Sequence, residues 1–540
     1  MSEHFLGIDV GTGSARAGVF DATGRMLASA KRDIAVWREA GDVVEQSSED
    51  IWRAVCDCVK RAVAEAGVEP SSIGGIGFDA TCSLVVLGEG GKPLSVSPSG
   101  EADRNIIVWM DHRAMDQTRR INQSGEKVLD YVGGTISPEM ETPKLLWLAE
   151  NMPETFGATW QFFDLTDYLT WRCTGSLARS ICTVTCKWTY LAHEARWDEG
   201  YFRKVGLGVL ADEGFARIGT EIVPGGTPLG AGLTEMAAAD LGLTSGTPIA
   251  AGLIDAHAGG IGTVGARGDA GTALTRMAYV FGTSACTMST TSEPAFVPGV
   301  WGPYYQAMVP GLWLNEGGQS AAGAAIDHLV RMHPAAAEAS DLAKKAGLSL
   351  SGWLSLEAEK RGGARVVPKL VGEMHVVPEF LGNRAPFADP DARALVAGIG
   401  METGIDNLIG LYVAGVCGLG YGAKQIVRAQ QEKGIPTDTI VVSGGAGQSP
   451  LVRQLLADTT GLVVAASTSP EPVLLGSAIL GAVAARRYKD TTEAMSEMSE
   501  LGEIYRPQPL LADWHARRFK AFELLQAAGR AIRETGSQSQ

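Results

Sequence analysis

Twice along this chain, a short apolar strand runs into a Gly-Thr turn and comes back as a second strand. The first copy is Ile8-Asp9-Val10-Gly11-Thr12-Gly13-Ser14. The second is Ala278–Phe281, Gly282-Thr283-Ser284 and Ala285–Thr290. A short apolar run ended by glycine reads as a strand closing into a turn. Its return in the second half of the chain predicts an internally duplicated α/β protein, two similar domains facing each other. The glycine-rich run Gly259 to Gly271 lies between the copies, and a hinge is expected near 260–272. The 540 residues leave room for this at about 100–200 residues per domain.

The surroundings of the first copy read as a three-stranded meander, Phe5–Val10, Ala15–Asp21 and Met26–Ile34. A helix is expected from Ser47 or Ser48, with Glu49 and Asp50 in its first turn, Ile51, Val55, Cys58 and Ala62 on one face, and Gly67 at its end. Gly74–Asp79 reads as a strand ending in Asp79-Ala80-Thr81-Cys82-Ser83, and Leu84–Leu87 continues as a strand. Pro248–Ile254 reads as another, ending in Asp255-Ala256-His257. Residues 105–245 are mixed and hold most of the tryptophans. Late in the chain, the strand Thr439–Ser443 enters the turn Gly444-Gly445-Ala446-Gly447, and a helix from Pro450 to Asp458 follows. Glycines between a strand and a helix N-terminus suit an anion or nucleotide.

The formal charge is 46 − 61 = −15, which argues against nucleic acid or an acidic membrane surface as partner. The longest uncharged run, Pro294 to Asn315, is broken by prolines, and Leu408 to Ala423 is too short to span a bilayer, so the latter reads as a buried core helix. The N-terminus lacks a basic segment followed by an apolar stretch. The cysteines form no CxxC pair and have no histidine cluster beside them in sequence, so free thiols and a cytoplasmic setting are expected.

Gly11-Thr12-Gly13-Ser14-Ala15-Arg16 is not a dinucleotide fingerprint: the third glycine is missing and a strand follows instead of a helix. A Walker loop is absent too, since Pro93 follows Gly91-Lys92. What the turn offers is consecutive backbone N–H groups forming a concave anion site, with hydroxyls from Thr12 and Ser14 and a charge from Arg16. Asp9, at the strand end, could hold Mg²⁺ through water. A plain hairpin with a solvated aspartate is the competing reading.

The ordered set Gly7 to Ser14, Asp79 to Ser83, Trp109-Met110-Asp111-His112-Arg113, Gly252 to His257, Gly282 to Ser284, Glu316-Gly317-Gly318-Gln319-Ser320 and Ser443 to Ala446 resembles the FGGY carbohydrate kinases. The resemblance runs from residue 5 to about 485. Asp79-Ala80-Thr81-Cys82-Ser83 and Cys186-Lys187-Trp188 resemble the pentulokinase branch close to D-ribulokinase. Xylulokinases usually carry a Met-His pair, and glycerol kinases an Arg-Glu pair, where this chain has Ala80-Thr81.

The resemblance implies two actin-like, ribonuclease H-like α/β domains enclosing a cleft. Residues 1–265 would be the sugar-binding domain, 266–490 the ATP-binding domain and 491–540 a helical tail. It implies ATP and Mg²⁺ as cofactors and a small sugar as substrate, best matched by D-ribulose going to D-ribulose 5-phosphate. Ribitol kinase, L-ribulokinase and xylulokinase are the alternatives, and a homodimer is left open. Carried over by position, Asp255 is the general base, and Ala80, Lys187, Asp255 and Glu316 line the sugar. Thr12, Gly13, Ser14 and Arg16 meet the phosphates from one side, Thr283 and Ser284 from the other. Gly323, Asp327, Gly444, Gly445, Ala446 and Ser449 contact ATP, and Asp9 the metal.

Each has a competing reading: Asp255 as a helix cap, Lys187 as a surface lysine, Glu316 as a helix-start carboxylate, His257 and Cys82 as packed core residues. A sugar or nucleotide sensor on the same fold, or an actin-like filament ATPase, is the rival at the level of function. The repressors built on sugar kinase folds carry a DNA-binding module before the first strand; with that strand reading from Phe5 and the net charge negative, none is expected here. A filament ATPase would need no sugar constellation.

Overall fold

In the computed structural model, which describes residues 4–40 and 42–537, the two Gly-Thr turns open two sheets of one topology. In the first sheet β1 (His4–Val10), β2 (Ser14–Asp21) and β3 (Met26–Asp33) form the antiparallel meander. Strand β4 (Ile73–Ala80) lies parallel to β1, and β5 (Leu253–Ile254) parallel to β4, giving the order β5-β4-β1-β2-β3. The second sheet contains β6 (Arg276–Phe281), β7 (Ala285–Thr291), β8 (Trp301–Tyr305), β9 (Trp313–Gln319), β10 (Thr439–Ser443), β11 (Val463–Ser467) and β12 (Leu501–Tyr505), in the order β8-β9-β7-β6-β10-β11-β12. Its stretch β11-β10-β6-β7-β9 repeats β5-β4-β1-β2-β3 strand for strand, with the same parallel and antiparallel pairings. The duplication read from the turns is therefore a duplication of the fold.

The segment expected as the strand Pro248–Ile254 is interrupted. Ile249 bridges Ile76, but only Leu253 and Ile254 form a ladder with β4. Between them the chain bonds segment 226–229 instead, through Leu229 N–H to Ile249 O and Ala251 N–H to Thr227 O. Leu84–Leu87 is a strand, in a separate sheet with Trp37–Glu39, Val43–Gln46, Ile106–Ile107 and Gln161–Asp164.

Helix α1 (Ser48–Ala66) begins where the sequence places it. The Ser47 hydroxyl accepts the Asp50 N–H, and Gly67 ends the helix in the left-handed region. Nine helices serve the argument below: α1, α2 (Ile181–Lys187), α3 (Asp255–Ile261), α4 (Gly323–Arg331), α5 (Ile405–Gln431), α6 (Pro450–Thr460), α7 (Pro472–Ala484), α8 (Thr491–Met498) and α9 (Ala512–Ser537). The apolar run Leu408 to Ala423 lies inside α5, buried along most of its length. Among the described residues no helix is long and apolar enough to cross a membrane, and the cysteines are free.

Helix α3 follows β5 and α7 follows the equivalent strand β11, and these two helices cross between the sheets. A Cβ on Gly476 would lie 1.9 Å from the Ala258 carbonyl oxygen, and one on Gly262 would lie 2.1 Å from that of Pro472. Helix α7 also lies on the first sheet, where Cβ atoms at Gly75 and Gly77 would meet the carbonyls of Gly481 and Ser477 at 2.1 and 1.9 Å. The glycine run expected as a hinge is thus largely a packing surface. Gly260 faces the Met308 sulphur and Gly265 the Met495 side chain. Its remainder is strapped by buried Arg276, whose guanidinium donates to the carbonyls of Val264, Ala266, Gly268 and Ala270.

The segment expected as a helical tail, 491–540, also contributes strand β12, which extends the second sheet antiparallel to β11. Helix α9 is bound to the same unit by a bond between Tyr421 and His515 at 2.9 Å and by Arg518 donating to the Met374 carbonyl. The first sheet lies within residues 1–265, but α7 and α8, from later sequence, pack on it. Gly24 meets the Met498 carbonyl at the end of α8.

Candidate active site

Three neighbouring parallel strands, β1, β4 and β5, each run into an aspartate. Asp9 stands opposite Asp79 in register, and Leu253 opposite Asp79, so Asp255 follows just past the end of β5. Ligands of open α/β sheets collect at these carboxyl ends. Asp9 and Asp79 are fully buried. Asp9 is ion-paired with Arg16, which also reaches Glu471 at 2.9 Å. The Arg16 charge expected at the phosphate turn is therefore taken up by carboxylates. Asp79 Oδ2 accepts the Ser477 hydroxyl at 2.5 Å, while its buried Oδ1 has no partner among the described residues. Burial, and then the neighbouring Asp9, hold the Asp79 carboxyl well above the usual carboxylate range. Asp255 is the first residue of α3, after the N-cap Ile254, and its Oδ1 accepts the adjacent Ala256 N–H at 2.7 Å; no side chain caps this helix, so the helix-cap reading is not met. Its Oδ2 is unbonded among the described residues. Burial and Asp9 push the Asp255 carboxyl up to about 6.

Lys187, the last residue of α2, is 3% exposed, which rules out a surface lysine. Buried Cys186 and Trp188 carry it inward. Its ammonium stands 4.7 Å from the centre of the Trp301 ring and makes no hydrogen bond or ion pair among the described residues. Burial works against its charge, yet Cys82, Glu316, Tyr304 and Glu139 around it hold its pKa well above the ordinary value. Glu316 is a buried residue of β9, opposite Met288 and Trp301, not a helix start. Its Oε2 lies 3.2 Å from His257 Nε2. Burial alone would raise its pKa, but Lys187, His257 and Arg384 bring it down to about 2. Ala80, fully buried, ends β4 beside Ile254. Cys82 lies in the apolar core.

The turn at 11–14 is braced from outside. Trp109 Nε1–H donates to the Thr12 hydroxyl at 2.9 Å, and Gln46 donates to the Thr12 carbonyl at 2.7 Å. A Cβ on exposed Gly13 would meet nothing within 4 Å, so the backbone there is open to a ligand. The two turns close alike, through Gly11 N–H to Ser14 O at 3.0 Å and Gly282 N–H to Ser284 O at 2.9 Å. Helix α4 starts against the second turn, with Gly323 N–H bonded to Gly282 O and the N–H groups of Ala322 and Ala324 to Thr283 O. Gly444 has φ 87°, and its Cβ would lie 2.6 Å from Phe281 O, so only glycine fits. Gly445 next to it is open. The Ala446 side chain lies outside the described residues.

Asp327, exposed on α4, accepts the Ser351 hydroxyl at 2.5 Å, and Ser449 caps α6 while bonding Ser355 at 2.6 Å. Those two side chains are engaged with the protein itself. Thr283, Ser284, Gly323, Gly444 and Gly445 gather at the carboxyl ends of β6 and β10, while Thr12, Gly13 and Ser14 belong to the equivalent turn of the first unit. The oxygen donors at Asp79 Oδ1 and Asp9 suit a hard divalent cation such as Mg²⁺.

Residues 4–262 match the FGGY family of carbohydrate kinases, N-terminal domain, and residues 277–485 match its C-terminal domain. This chain belongs to the FGGY family of carbohydrate kinases. The FGGY kinase is 43% identical over 527 residues to a human FGGY carbohydrate kinase domain-containing protein, covering 96% of this chain and 95% of that one. It is 39% identical over 524 residues to a D-ribulokinase of Saccharomyces cerevisiae, covering 91% of this chain and 73% of that one. A xylulose kinase structure from Rhodospirillum rubrum shares its fold, with a TM-score of 0.78 at 21% identity, covering 98% and 99% of the two chains. The duplicated α/β units are therefore the two actin-like domains of a carbohydrate kinase.

The motifs of this FGGY kinase did not single out four side chains. Asp79 had a signal: three apolar strands each ending in aspartate. Trp301 and Arg384 had none. Arg384, half-buried, stands 5.5 Å from the Trp301 ring centre and 3.7 Å from Glu139. Cys182 has no histidine near it in sequence, but its Sγ lies 3.1 Å from His257 Nδ1. Cys182 Sγ, Cys186 Sγ and a ring nitrogen of His257 fall within 4.8 Å of one another. Nδ1 and the Cys182 sulphur already bond each other, and the adjoining Lys187 ammonium opposes a further cation, so the cluster reads as a hydrogen-bonded one.

Proposed function

We propose that this FGGY kinase transfers the γ-phosphoryl group of ATP, as its Mg²⁺ complex, to a ketopentose, D-ribulose being the best substrate and D-ribulose 5-phosphate the product. One observation carries the reading. Buried Lys187 and Glu316 and half-buried Asp255 each keep a polar atom unbonded among the described residues: Nζ, Oε1 and Oδ2. A donor and two acceptors without partners in a site so poor in solvent suit a polyhydroxylated ligand that would complete them. The choice of D-ribulose is supported by the 39% identity to the yeast D-ribulokinase.

Phosphoryl transfer asks a protein for in-line placement and charge neutralisation more than for covalent help. Bound MgATP supplies the phosphoryl group and a cation to offset its charge. Lys187 and Glu316 hold sugar hydroxyls by donating and accepting respectively, and Ala80 walls the sugar. Asp255 Oδ2 takes the proton of the terminal hydroxyl as its oxygen bonds to phosphorus, and the bond to the bridging oxygen of ADP breaks. Thr12, Gly13 and Ser14 from one domain, and Thr283 and Ser284 from the other, donate to phosphate oxygens. Gly323, Gly444, Gly445 and Ala446 border the nucleoside, with Asp327 and Ser449 behind them. Asp9 and Asp79 would hold the cation.

A coupled assay of ADP release over pentuloses, pentitols and glycerol tests this. D-Ribulose is expected to give the highest kcat/KM, exceeding D-xylulose and glycerol by about tenfold to a hundredfold, the effect of one buried polar contact left unpaired. Equal or reversed preference would remove D-ribulose. Release of ADP that no sugar stimulates would remove the sugar kinase assignment.

A further inference from the structure

His257 and Cys182 have no part in the chemistry above, yet they touch the elements that perform it. Cys182 lies on α2, which ends in Lys187. Its sulphur accepts the Ile254 N–H at 3.4 Å and contacts His257 Nδ1 at 3.1 Å. Ile254 and His257 bracket Asp255, so one sulphur holds the backbone just before that carboxylate and the imidazole ring two residues after it. The other face of the ring leaves the first domain: His257 Nε2 is 3.2 Å from Glu316 Oε2, on β9 of the second sheet. His257 and Cys182 are 0% exposed and Glu316 is 5% exposed, so water does not compete for these bonds.

The chemistry of the ring fixes its orientation. An ionised carboxylate only accepts, so Nε2 must carry hydrogen whether the imidazole is neutral or charged. Nδ1 then either accepts the Cys182 S–H or donates to its thiolate, and both keep the same contact. Held by Oε2, the Glu316 carboxylate is not free to spin, and Oε1 keeps a single presentation. A histidine present for packing alone would need neither polar partner.

We propose that His257 is a positioning residue which, with Cys182, sets Glu316 and Asp255 in register across the two domains; this rests on the sugar kinase reading above. His257 sets Glu316 through Nε2, which bears on sugar binding. Cys182 sets the start of α3, which bears on proton transfer at Asp255.

The two roles separate in a set of variants assayed with the sugar that the wild-type enzyme prefers. His257→Gln keeps an amide near Nε2, and His257→Asn keeps one near Nδ1. The Asn variant is expected to raise the sugar KM about 10- to 100-fold, the Gln variant less than threefold, and both should leave the ATP KM within twofold. Cys182→Ala, with the Glu316 bond intact, is expected to lower kcat about tenfold at an unchanged sugar KM. An Asn variant with the sugar KM of the wild type would overturn the proposal, as would Asn and Gln variants that behave alike, or sugar and ATP KM rising together. If neither histidine variant folds, Cys182→Ala decides, and an unchanged kcat there overturns the proposal. A wild-type enzyme that phosphorylates no sugar fails before any variant is made and takes this proposal with it.

Discussion

At the scale of single residues, the site is governed by how far burial moves each charge. Asp255, pushed up to about 6 by burial and by Asp9, serves as a base only when ionised. So kcat/KM for the sugar is expected to fall as pH drops through about 6, and Asp255→Asn should lower kcat by about 10²–10⁴ with sugar binding largely retained. Near-normal turnover in that variant would remove the base assignment. A carboxyl whose pKa is raised by folding ionises at a cost in the native state. Stability is lost as pH rises from the ordinary carboxylate value through about 6. Asp255→Asn lacks that loss and should melt no lower than the parent at pH 7.5, a check by calorimetry that separates lost chemistry from lost folding. Lys187 is expected to act on one substrate only. Lys187→Met should raise the sugar KM well above tenfold and the ATP KM less than threefold; a selective loss of ATP affinity would place the ammonium on the phosphates instead.

At the scale of elements, glycine performs two opposite jobs. Gly75, Gly77, Gly262 and Gly476 let α7 lie against β4 and α3 with backbone touching backbone, where an added methyl has no flexible neighbour to displace. Gly77→Ala is expected to cost about 1–3 kcal/mol or more in urea denaturation, as overpacking does. Gly13 faces open space, so Gly13→Ala should leave stability within about 0.5 kcal/mol, as for a surface change, while raising the ATP KM. Equal destabilisation by the two would mean that Gly13 is packed in solution. The same distinction corrects the hinge: glycines 260, 262 and 265 are packed against helix and methionine, and Arg276 holds four carbonyls of the following connection.

At the scale of the whole molecule, the domains already touch on the sugar side. His257 meets Glu316, Arg384 meets Glu139, and Tyr131 and His193 stack near Trp313. The two phosphate turns stand on different domains, and closure on both ligands would let both grip one nucleotide while excluding water from the transferred group. The radius of gyration by small-angle scattering is therefore expected to fall when sugar and a non-hydrolysable ATP analogue are both bound. An unchanged radius in the doubly liganded protein would mean a preformed site.

The order of motifs in the sequence carried the family, and the recurring strand-turn-strand carried the duplicated topology, because strand ends and glycine turns are local properties of the chain. It also grouped Asp255, Lys187 and Glu316 by resemblance, and in the folded chain the Lys187 ammonium acts on both carboxylates. Three things were decided only in the folded chain. Arg16 is spent on Asp9 because β1 and β2 pair residue against residue there. The Asp327 and Ser449 side chains are engaged because the helix at 350–360 supplies serines to both. His257 joins Cys182 to Glu316 because α2, α3 and β9, distant in sequence, converge where the two sheets meet. A local pattern fixes a backbone shape and the residue types it presents. Which buried polar group meets which depends on long-range packing, and no spacing along the chain encodes that directly.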